Sequence, residues 1–352
     1  MKVTLQQVAE YANVSRRTVD RVINQRGNVR PEVEQRVKEA LEVLDYQPNK
    51  LASALAYSKN QKTICVIYQG DGFFDSDAGA DVERGIADAT RELKDFGISV
   101  EVICENIYDP EEYAEKMELM VKKGVSGFAL RGPNSQVLRD KINELADRGI
   151  PVVTFNSDIT KSKRVYFLGQ DVYQSGRAAG NIMSKIIRPG EKIIIECGIP
   201  DFYAHHLRVD GFVYEMKKHG FEEEQWIMLR SGDQVNSTYE QQYKTVYRGL
   251  EEIFANENGI RGIYMSVEPN RACGDFLRAN NLSEKPYVIC HDSSKENVDF
   301  LKTGIFDFII DQNMYLQGFQ SLIILKDILR DGIIKEQEYI SDLVIFNSAC
   351  LK

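Results

Sequence analysis

From residue 63 onwards, short hydrophobic runs alternate with longer amphipathic stretches. The runs are rich in β-branched residues and predict buried strands at 63–68, 100–103, 127–130 and 151–155. The stretches between them carry apolar residues at helical spacing and predict helices near 78–96, 110–123 and 135–148. Strands that alternate with helices of this length indicate a parallel, doubly wound α/β sheet.

The same alternation starts again in the second half of the chain. It predicts further strands at 192–197, 226–229, 262–265 and 287–290. No Gly-, Pro- or Ser-rich linker separates the two sets of strands. We therefore expect two α/β lobes with a cleft between them, and a ligand in such folds lies beyond the carboxyl ends of the strands.

The first 48 residues have a helical period instead. Thr4 and Gln7 form a capping-box pattern ahead of apolar residues at helical spacing, which predicts a first helix of about two turns. Asn13 stands at the break, Ser15 is placed to cap a second helix, and Pro31 is placed to begin a third. Three short helices with one apolar face each predict a small all-α domain.

The second helix has two different faces. Val19, Val22 and Ile23 are expected to point inward. The outward residues are Arg16, Arg17, Asp20 and Arg21. Two short helices joined by a tight turn form a helix-turn-helix, whose second helix enters the major groove of DNA, and arginine pairs well with a guanine edge. An ordinary solvated helix is the alternative, and the agreement of cap, turn and both faces speaks against it.

The distribution of charge supports this interpretation. The whole chain is acidic, with 44 Lys+Arg against 53 Asp+Glu, which taken alone argues against nucleic acid. Residues 1–60, however, hold 10 Lys+Arg and 7 Asp+Glu, which leaves 34 and 46 for the remainder. Attraction to phosphates is therefore expected to be local to the basic N-terminal domain.

The segment that joins this domain to the body is alanine-rich. Residues 49–58 begin with a helix-capping asparagine and continue with Leu51, Ala52, Ala54, Leu55 and Ala56, and a polar stretch follows. A stretch this short does not form a stable helix by itself. It is either an ordinary linker or a hinge helix that folds only on DNA.

Several of these motifs resemble the LacI family of bacterial transcription regulators. The resemblance rests on Thr4-Leu5-Gln6-Gln7-Val8-Ala9, Val14-Ser15, Thr18-Val19, Arg21-Val22-Ile23-Asn24 and Tyr46-Gln47-Pro48-Asn49-Lys50-Leu51-Ala52. It implies base contacts by Arg16, Arg17 and Arg21, and further DNA contacts, mostly to phosphates, by Thr4, Ser15, Thr18, Asn24, Asn49, Lys50 and Ala52. It also implies that Leu55 of each subunit of a homodimer wedges into the minor groove of a near-palindromic operator.

Two positions depart from the family pattern. Asn13 replaces the usual turn glycine, which asparagine tolerates because it can adopt a left-handed backbone. Asp20 replaces a serine, and a carboxylate that faces phosphates is unfavourable unless it is paired. We expect that Asp20 orients Arg16, four residues earlier, or accepts a hydrogen bond from a cytosine amine.

By the same resemblance, the body is similar to periplasmic sugar-binding proteins, whose chain crosses between two lobes three times. This implies a helix-turn-helix domain at 1–48, a hinge at 49–61 and an effector domain at 62–352. The crossings are expected near 171, 306 and 332, so that the N-lobe comprises about 62–171 and 306–332 and the C-lobe about 172–305 and 333–352.

Side chains that follow the strands form the expected effector site. They combine aromatic faces with planar hydrogen-bonding groups, as a sugar requires, and are Phe73, Phe74, Asn156, Asp158, Arg208, Glu268, Asn270, Asp292 and Gln312. Resemblance to sugar-binding relatives implies hydroxyl-binding roles for Asn156, Arg208, Asp292 and Gln312, and stacking for Phe74. Many relatives have aspartate where this chain has Asn156, which leaves the sugar's identity open.

Motifs for catalysis, phosphate binding or metal binding are weak in this sequence. No nucleophile has an adjacent base, and Gly70-Asp71-Gly72-Phe73 lacks the lysine of a phosphate-binding loop. His205 and His206 lack metal-ligand spacing, and six scattered cysteines indicate buried thiols. With neither a signal peptide nor a membrane-length apolar run, a cytoplasmic protein is expected, without catalytic residues, metal or cofactor.

These observations favour a homodimeric transcription regulator, most simply a repressor, with a monosaccharide or polyol as effector. A nucleobase effector or a protein corepressor is the first alternative, because both occur among relatives. A sugar receptor that does not bind DNA is the second, and the arginine-faced helix counts against it. An enzyme on the α/β scaffold is the third.

Overall fold

The computed structural model describes most of the chain. The described residues are 3–23, 29–44, 46, 60–69, 77–105, 107, 109–198, 203–232, 238–280, 282–332, 338–340 and 342–351. Several sequence predictions lie outside them. These are the DNA contacts Asn24, Asn49, Lys50, Ala52 and Leu55, the hinge helix, and the effector contacts Phe73 and Phe74.

The N-terminal domain is a three-helix unit, as predicted. Its helices are α1 (Leu5–Tyr11), α2 (Arg16–Ile23) and α3 (Pro31–Val43). Thr4 and Gln7 form the capping box at the start of α1, and Asn13 has a φ of 51° in the turn between α1 and α2. One apolar cluster closes the unit, with Val8, Val19 and Val37 fully buried in it.

The body contains two sheets. The elements of the first stretch are β1 (Lys62–Gln69), α4 (Asp77–Leu93), β2 (Ile98–Glu105), α5 (Pro110–Lys122), β3 (Gly127–Leu130), α6 (Gln136–Asp147), β4 (Val152–Phe155) and β5 (Tyr166–Gly169). Those of the second are α7 (Val172–Ile186), β6 (Lys192–Glu196), α8 (Tyr203–Lys218), β7 (Trp226–Leu229), α9 (Tyr239–Asn256), β8 (Ile260–Met265), α10 (Asn270–Ala279), β9 (Tyr287–His291), α11 (Lys295–Lys302) and β10 (Phe308–Asp311). The chain ends with α12 (Met314–Asp331), β11 (Glu338–Ile340) and β12 (Val344–Phe346).

Both sheets are doubly wound. The first has the strand order β11-β5-β4-β3-β1-β2 and is parallel throughout. The second has the order β12-β10-β9-β8-β6-β7, in which only β12 is antiparallel. Successive residues of β1 enter different apolar clusters, Ile64 and Val66 one and Cys65 and Ile67 the other. Burial on both faces explains why the parallel strands are hydrophobic runs rather than alternating patterns.

The crossings between the lobes differ from the expected positions. Strand β10 pairs with β9 of the second sheet, so residues 308–311 belong to the second lobe and not to the first. Strand β11 pairs with β5 of the first sheet, so 338–340 belong to the first lobe and not to the second. The predicted crossings near 306 and 332 are therefore wrong, and the chain crosses at 312–313 and after 340. The crossing near 171 agrees with the change of sheet between β5 and β6.

Glycines allow one pair of helices in each lobe to pack closely. In the second lobe, a Cβ on Gly176 of α7 would lie 1.9 Å from the carbonyl oxygen of Arg208, and one on Gly211 of α8 would lie 2.1 Å from that of Tyr173. In the first lobe, a Cβ on Gly85 of α4 would lie 2.2 Å from the carbonyl oxygen of Tyr315 in α12. The backbones of each pair therefore touch directly.

The cysteines are less uniform than the sequence suggests. All six are free thiols, and Cys65, Cys273 and Cys290 are buried as expected. Cys104 and Cys350 are exposed, so the prediction of buried thiols is wrong for these two. Within the described residues, no helix is both long and apolar enough to span a membrane.

Candidate DNA-binding face and effector cleft

The start of α2 presents two linked hydroxyl groups. The Ser15 side chain accepts a hydrogen bond from the backbone N–H of Thr18 at 3.1 Å, which confirms the predicted cap. Its Oγ lies 2.8 Å from Oγ1 of Thr18. Thr4, the third predicted phosphate contact that the structure describes, caps α1 in the same manner. Hydroxyls and backbone N–H groups at helix N-termini are suitable donors to phosphate oxygens.

The exposed face of α2 is formed by arginines. Arg16 and Arg17 are exposed, whereas Asp20 and Arg21 are half-buried, so these two are less outward than the helical spacing indicated. Tyr46 lies beside the first turns of α2. Burial raises its pKa, the charge of Arg16 opposes this and the charge of Asp20 adds to it. Arg16 and Asp20 therefore share a neighbour, and the pairing proposed for them stays a prediction.

In the second lobe, a chain of hydrogen bonds joins three of the predicted effector residues. Nη1 of Arg208 donates to the carbonyl oxygen of Ser266 at 2.8 Å, and Nη2 donates to Oε1 of Gln312 at 3.3 Å. Nε2 of Gln312 donates to Oδ1 of Asp292 at 2.6 Å. All three side chains are buried. A guanidinium, an amide and a carboxylate are thus fixed relative to each other at the ends of the strands.

Asn156 occupies the equivalent place in the first lobe. Its Oδ1 accepts a hydrogen bond from Nε of Arg131 at 2.9 Å, and its Nδ2 lies 3.4 Å from Sδ of Met314. Asn156 directly follows β4 and Asp292 directly follows β9, with φ values of 62° and 70°. The N–H of each donates to the neighbouring strand, at 2.8 Å and 3.0 Å. The two lobes therefore present one polar side chain each from the same kind of turn.

Asp158, by contrast, is engaged inside the first lobe. Nε and Nη2 of Arg164 donate to its two carboxylate oxygens at 2.5 Å and 2.7 Å, and Oγ1 of Thr154 donates to it at 2.9 Å. Both members of the ion pair are largely buried. Such a bidentate pair fixes the loop after β4. The effector contact predicted for Asp158 stays a prediction.

Glu268 and Asn270 form a second polar group beside this chain. The N–H of Asn270 donates to Oε2 of Glu268 at 2.8 Å, and Nδ2 of Asn270 donates to Oε1 of Glu268 at 3.3 Å and to the carbonyl oxygen of His291 at 2.9 Å. Asn270 also begins α10, so the loop after β8 is tied to the end of β9. This joins the predicted pair to the residue that precedes Asp292.

Burial shifts the titration of several groups here. It raises the pKa of Glu196 to about 7 and that of Glu268 to about 8, the latter with added repulsion from Asp292. It also raises the pKa of Asp292, which the charge of Arg208 and the hydrogen bond from Gln312 oppose. Burial, followed by the charge of Arg208, holds the pKa of His291 well below its usual value. Glu196 and Glu268 are therefore the groups whose charge changes near neutral pH.

Three residues at the site were missed by the sequence analysis. Arg131 directly follows β3 and could have been found by the strand-end rule that found Asn156. Glu196 ends β6 and is fully buried, where it accepts hydrogen bonds from the N–H groups of Gly198 at 2.6 Å and Val267 at 3.1 Å. Tyr239 begins α9, and the charge of Glu268 acts on its hydroxyl. An aromatic residue at the start of a helix carries no distinctive sequence signal.

We expect the stability of the protein to depend on Glu196 in a defined pH range. The folded protein keeps a proton on this carboxyl up to about pH 7, whereas an ordinary glutamate loses it near 4.5. The stabilisation is therefore present at low pH and is lost as the pH rises towards 7. In urea denaturation, the free energy of unfolding of Glu196→Gln, relative to that of the wild type, should rise by about 1 kcal/mol per pH unit from pH 5 to 7.

Glu240→Gln, on the exposed surface of α9, is the matched control and should show a difference that does not depend on pH. A pH-independent difference for Glu196→Gln as well would show that Glu196 is ionised throughout this range in the folded protein.

Fold and site together define a class: a helix-turn-helix domain joined to a two-lobed ligand-binding domain of the periplasmic binding protein type. The sequence profile of the periplasmic binding protein domain matches residues 63–333, and that of the lacI family of bacterial regulatory proteins matches residues 4–49. The chain belongs to the LacI family of bacterial regulators. It is a DNA-binding transcription regulator, and members of this family bind operator DNA and small-molecule effectors.

Known proteins agree with this assignment. Catabolite control protein A of Staphylococcus epidermidis is 28% identical over 257 residues, which cover 73% of this chain and 71% of that protein. A crystallised LacI transcriptional regulator from Bacteroides fragilis superposes with a TM-score of 0.70 at 20% identity, over 82% of this chain and 98% of the other. GanP, a glucose-galactose binding protein from Geobacillus stearothermophilus, superposes with a TM-score of 0.67 at 20% identity, over 83% and 99%.

The two structural likenesses show the fold alone. The relatives by sequence are transcription regulators and not enzymes, in agreement with the expectation that the chain has no catalytic function.

Proposed function

We propose that the protein is a homodimeric repressor of a sugar or polyol utilisation operon, with the effector bound in the cleft between the two lobes. The observation that carries the effector class is the buried chain Arg208–Gln312–Asp292, with Asn156 in the equivalent turn of the first lobe. A guanidinium, two amides and a carboxylate provide several donors and acceptors at fixed positions, which suits a ligand with several hydroxyl groups. The likeness of the fold to GanP supports the same class.

Gln312 connects this site to the crossings between the lobes. It lies between β10 of the second lobe and α12, and its carbonyl oxygen accepts a hydrogen bond from Nε2 of Gln317 at 2.8 Å. The carbonyl oxygen of the preceding residue, Asp311, accepts one from Nε2 of Gln170 at 3.0 Å, at the first crossing. A ligand that binds Gln312 therefore acts on two crossings at once. Such a ligand shifts the equilibrium between two arrangements of the lobes. The free energy of this shift equals the difference between its binding free energies for the two arrangements.

The DNA-binding part of the proposal rests on the exposed arginines of α2. One helix-turn-helix reads one half-site, so a two-fold symmetric dimer requires a near-palindromic operator. Contacts of Arg17 to base edges would supply specificity, and the hydroxyls of Thr4, Ser15 and Thr18 would position the domain on the phosphates. Small rotations of the first lobes within the dimer would alter the spacing of the two domains.

The test combines gel shifts with a thermal-shift screen. We expect the wild type to shift DNA from upstream of its own operon, with an affinity that falls steeply as salt rises. Arg17→Ala should weaken specific binding by about 1–3 kcal/mol and relax the preference at one base pair. Lys38→Ala, on the exposed side of α3, is the control and should leave specificity unchanged.

In the thermal-shift screen, at least one monosaccharide or polyol is expected to raise the melting temperature and to change the operator affinity, since a cleft ligand stabilises the folded body. No gel shift at low salt would refute the regulatory role. A response to purines alone would refute the effector class.

A further inference from the structure

The carboxylate of Glu268 stands at the end of β8 among other acidic groups. The charges that act on it belong to Asp292, Glu296 and Glu196, and all three repel it. The cations nearby are engaged elsewhere. Arg208 bonds to Ser266 and Gln312, and Arg271 forms ion pairs with Asp275 at 3.3 Å and Glu296 at 3.2 Å. Within the described residues, Glu268 receives hydrogen bonds from Asn270 but forms no ion pair.

Further acidic residues follow three other strands in the sequence. By sequence, the stretches that follow β1, β6 and β7 are 70–76, 199–202 and 233–237. They contain four aspartates and no lysine, arginine or histidine. Two described arginines directly follow strands of the body: Arg131 after β3, which is bonded to Asn156, and the exposed Arg230 after β7, which acts on Cys197. Among the described residues, neither arginine forms an ion pair with Glu268.

The side-chain amide of Asn270 gives independent evidence that the site needs a hydrogen-bond donor. Its Nδ2 donates to two oxygen atoms, of Glu268 and His291, so rotating the amide by 180° would place Oδ1 against two acceptors. This fixes the orientation of the amide. Oδ1 is then a buried acceptor that receives no hydrogen bond from any described residue, although Asn270 is fully buried. The same amide group that touches Glu268 therefore needs a donor.

We infer that the effector carries a protonated amino group, which binds between the Glu268 carboxylate and Oδ1 of Asn270. This rests on the proposed function and narrows it to amino sugars or amino polyols. An ammonium group has three donors and no acceptor, and so fits a site of acceptors. Its positive charge favours the ionised form of Glu268, so binding near pH 7.5 is accompanied by loss of the proton that burial keeps on this carboxyl. Tyr239 adds an aromatic ring near the same carboxylate, since the charges of Glu268 and Glu296 both raise the pKa of its hydroxyl. A metal ion fits less well, since the described residues contain no cluster of three or more ligating side chains.

The experiment compares ligands that differ only at one substituent. Isothermal titration at pH 7.5 measures the Kd of D-glucosamine against D-glucose, D-galactosamine against D-galactose, and D-glucamine against sorbitol. In at least one pair, the amine should bind about tenfold more tightly or better than the hydroxyl compound, as one charge-assisted hydrogen bond provides. The N-acetylated sugar, which has no charge, should lose this advantage in the wild-type protein.

Glu268→Gln should weaken the binding of the amine about tenfold or more while changing that of the neutral partner by less than about threefold. Glu284→Gln, in an exposed ion pair with Arg261, is the control and should change neither. A neutral compound that binds as tightly as its amine, or a preference that survives Glu268→Gln, would overturn the inference while the proposed sugar or polyol effector stands. If no compound of any pair binds, the inference is refuted, and the thermal-shift screen decides separately on the sugar or polyol effector. Because the N-acetyl comparison uses the wild type, it stays decisive if Glu268→Gln does not fold.

Discussion

Replacing Gly176 by alanine is expected to lower the free energy of unfolding by about 3 kcal/mol or more, measured by urea denaturation at pH 7. The added Cβ would lie 1.9 Å from the carbonyl oxygen of Arg208 and 2.8 Å from its carbonyl carbon. No side chain can rotate away to relieve this contact, because both atoms belong to the backbone of α8. The gain of about 1 kcal/mol in helix propensity from glycine to alanine is too small to compensate.

The position of this contact also links stability to ligand binding. Moving α8 away from α7 moves Arg208 itself, so Gly176→Ala should weaken effector binding at a temperature where the variant is still folded. Gly85→Ala places a Cβ 2.2 Å from the carbonyl oxygen of Tyr315 in the other lobe. It should destabilise the protein similarly but leave the Arg208 chain in place. Lys185→Ala, at an exposed position of α7, controls for the substitution itself. An unchanged unfolding midpoint for Gly176→Ala would refute the direct backbone contact.

The second large effect is expected from Arg208→Met. Methionine retains an apolar stem of similar length but removes the guanidinium that holds Ser266 and Gln312. Effector affinity should fall about 100-fold or more, since hydrogen bonds to a charged group contribute about 1.5–3 kcal/mol each. Operator binding without effector should persist, because Arg208 lies in the second lobe, far along the chain from α2. Titration calorimetry and gel shifts measure the two effects separately.

Two further variants make this result interpretable. Arg208→Lys keeps the charge but cannot reach both acceptors with one planar group, so its affinity should lie between those of the wild type and Arg208→Met. Arg188→Met changes an exposed arginine just after α7 and should bind the effector normally. If Arg208→Met bound the effector as the wild type does, the hydrogen-bonded chain would have only a structural role.

Local pattern was sufficient for most of the secondary structure. The runs predicted at 127–130 and 226–229 coincide with β3 and β7, and Pro31 begins α3 as expected. Strand β5 was not predicted, since it is short and only its last two residues are fully buried. The strands β11 and β12 have three residues each and are too short to be recognised from their sequence. These segments become strands because they pair with a neighbouring strand of the sheet, and not because of their own sequence.

The lobe to which a segment belongs could not be read from the sequence. Residues 308–311 form a buried run like those of either sheet, and only their pairing with β9 assigns them to the second lobe. The strand-end rule likewise predicts which residues lie at the edge, but not what they bond to. It placed Asp158 and Asn156 together. In the structure, Asp158 forms an ion pair with Arg164, whereas Asn156 accepts a hydrogen bond from Arg131. Such partners come from distant parts of the chain or from the following loop.

The three crossings have a consequence for how such a protein can change during evolution. The first lobe consists of the segment from β1 to β5, the segment around α12, and β11, while the second lobe holds strands β6 to β10 and β12. Neither lobe is one continuous stretch of the gene, so recombination cannot replace a lobe as a unit. The three helices before residue 44 form a single continuous segment with its own apolar core. New operator specificity can therefore be acquired by exchanging a gene fragment, whereas new effector specificity has to arise by point substitution in the body.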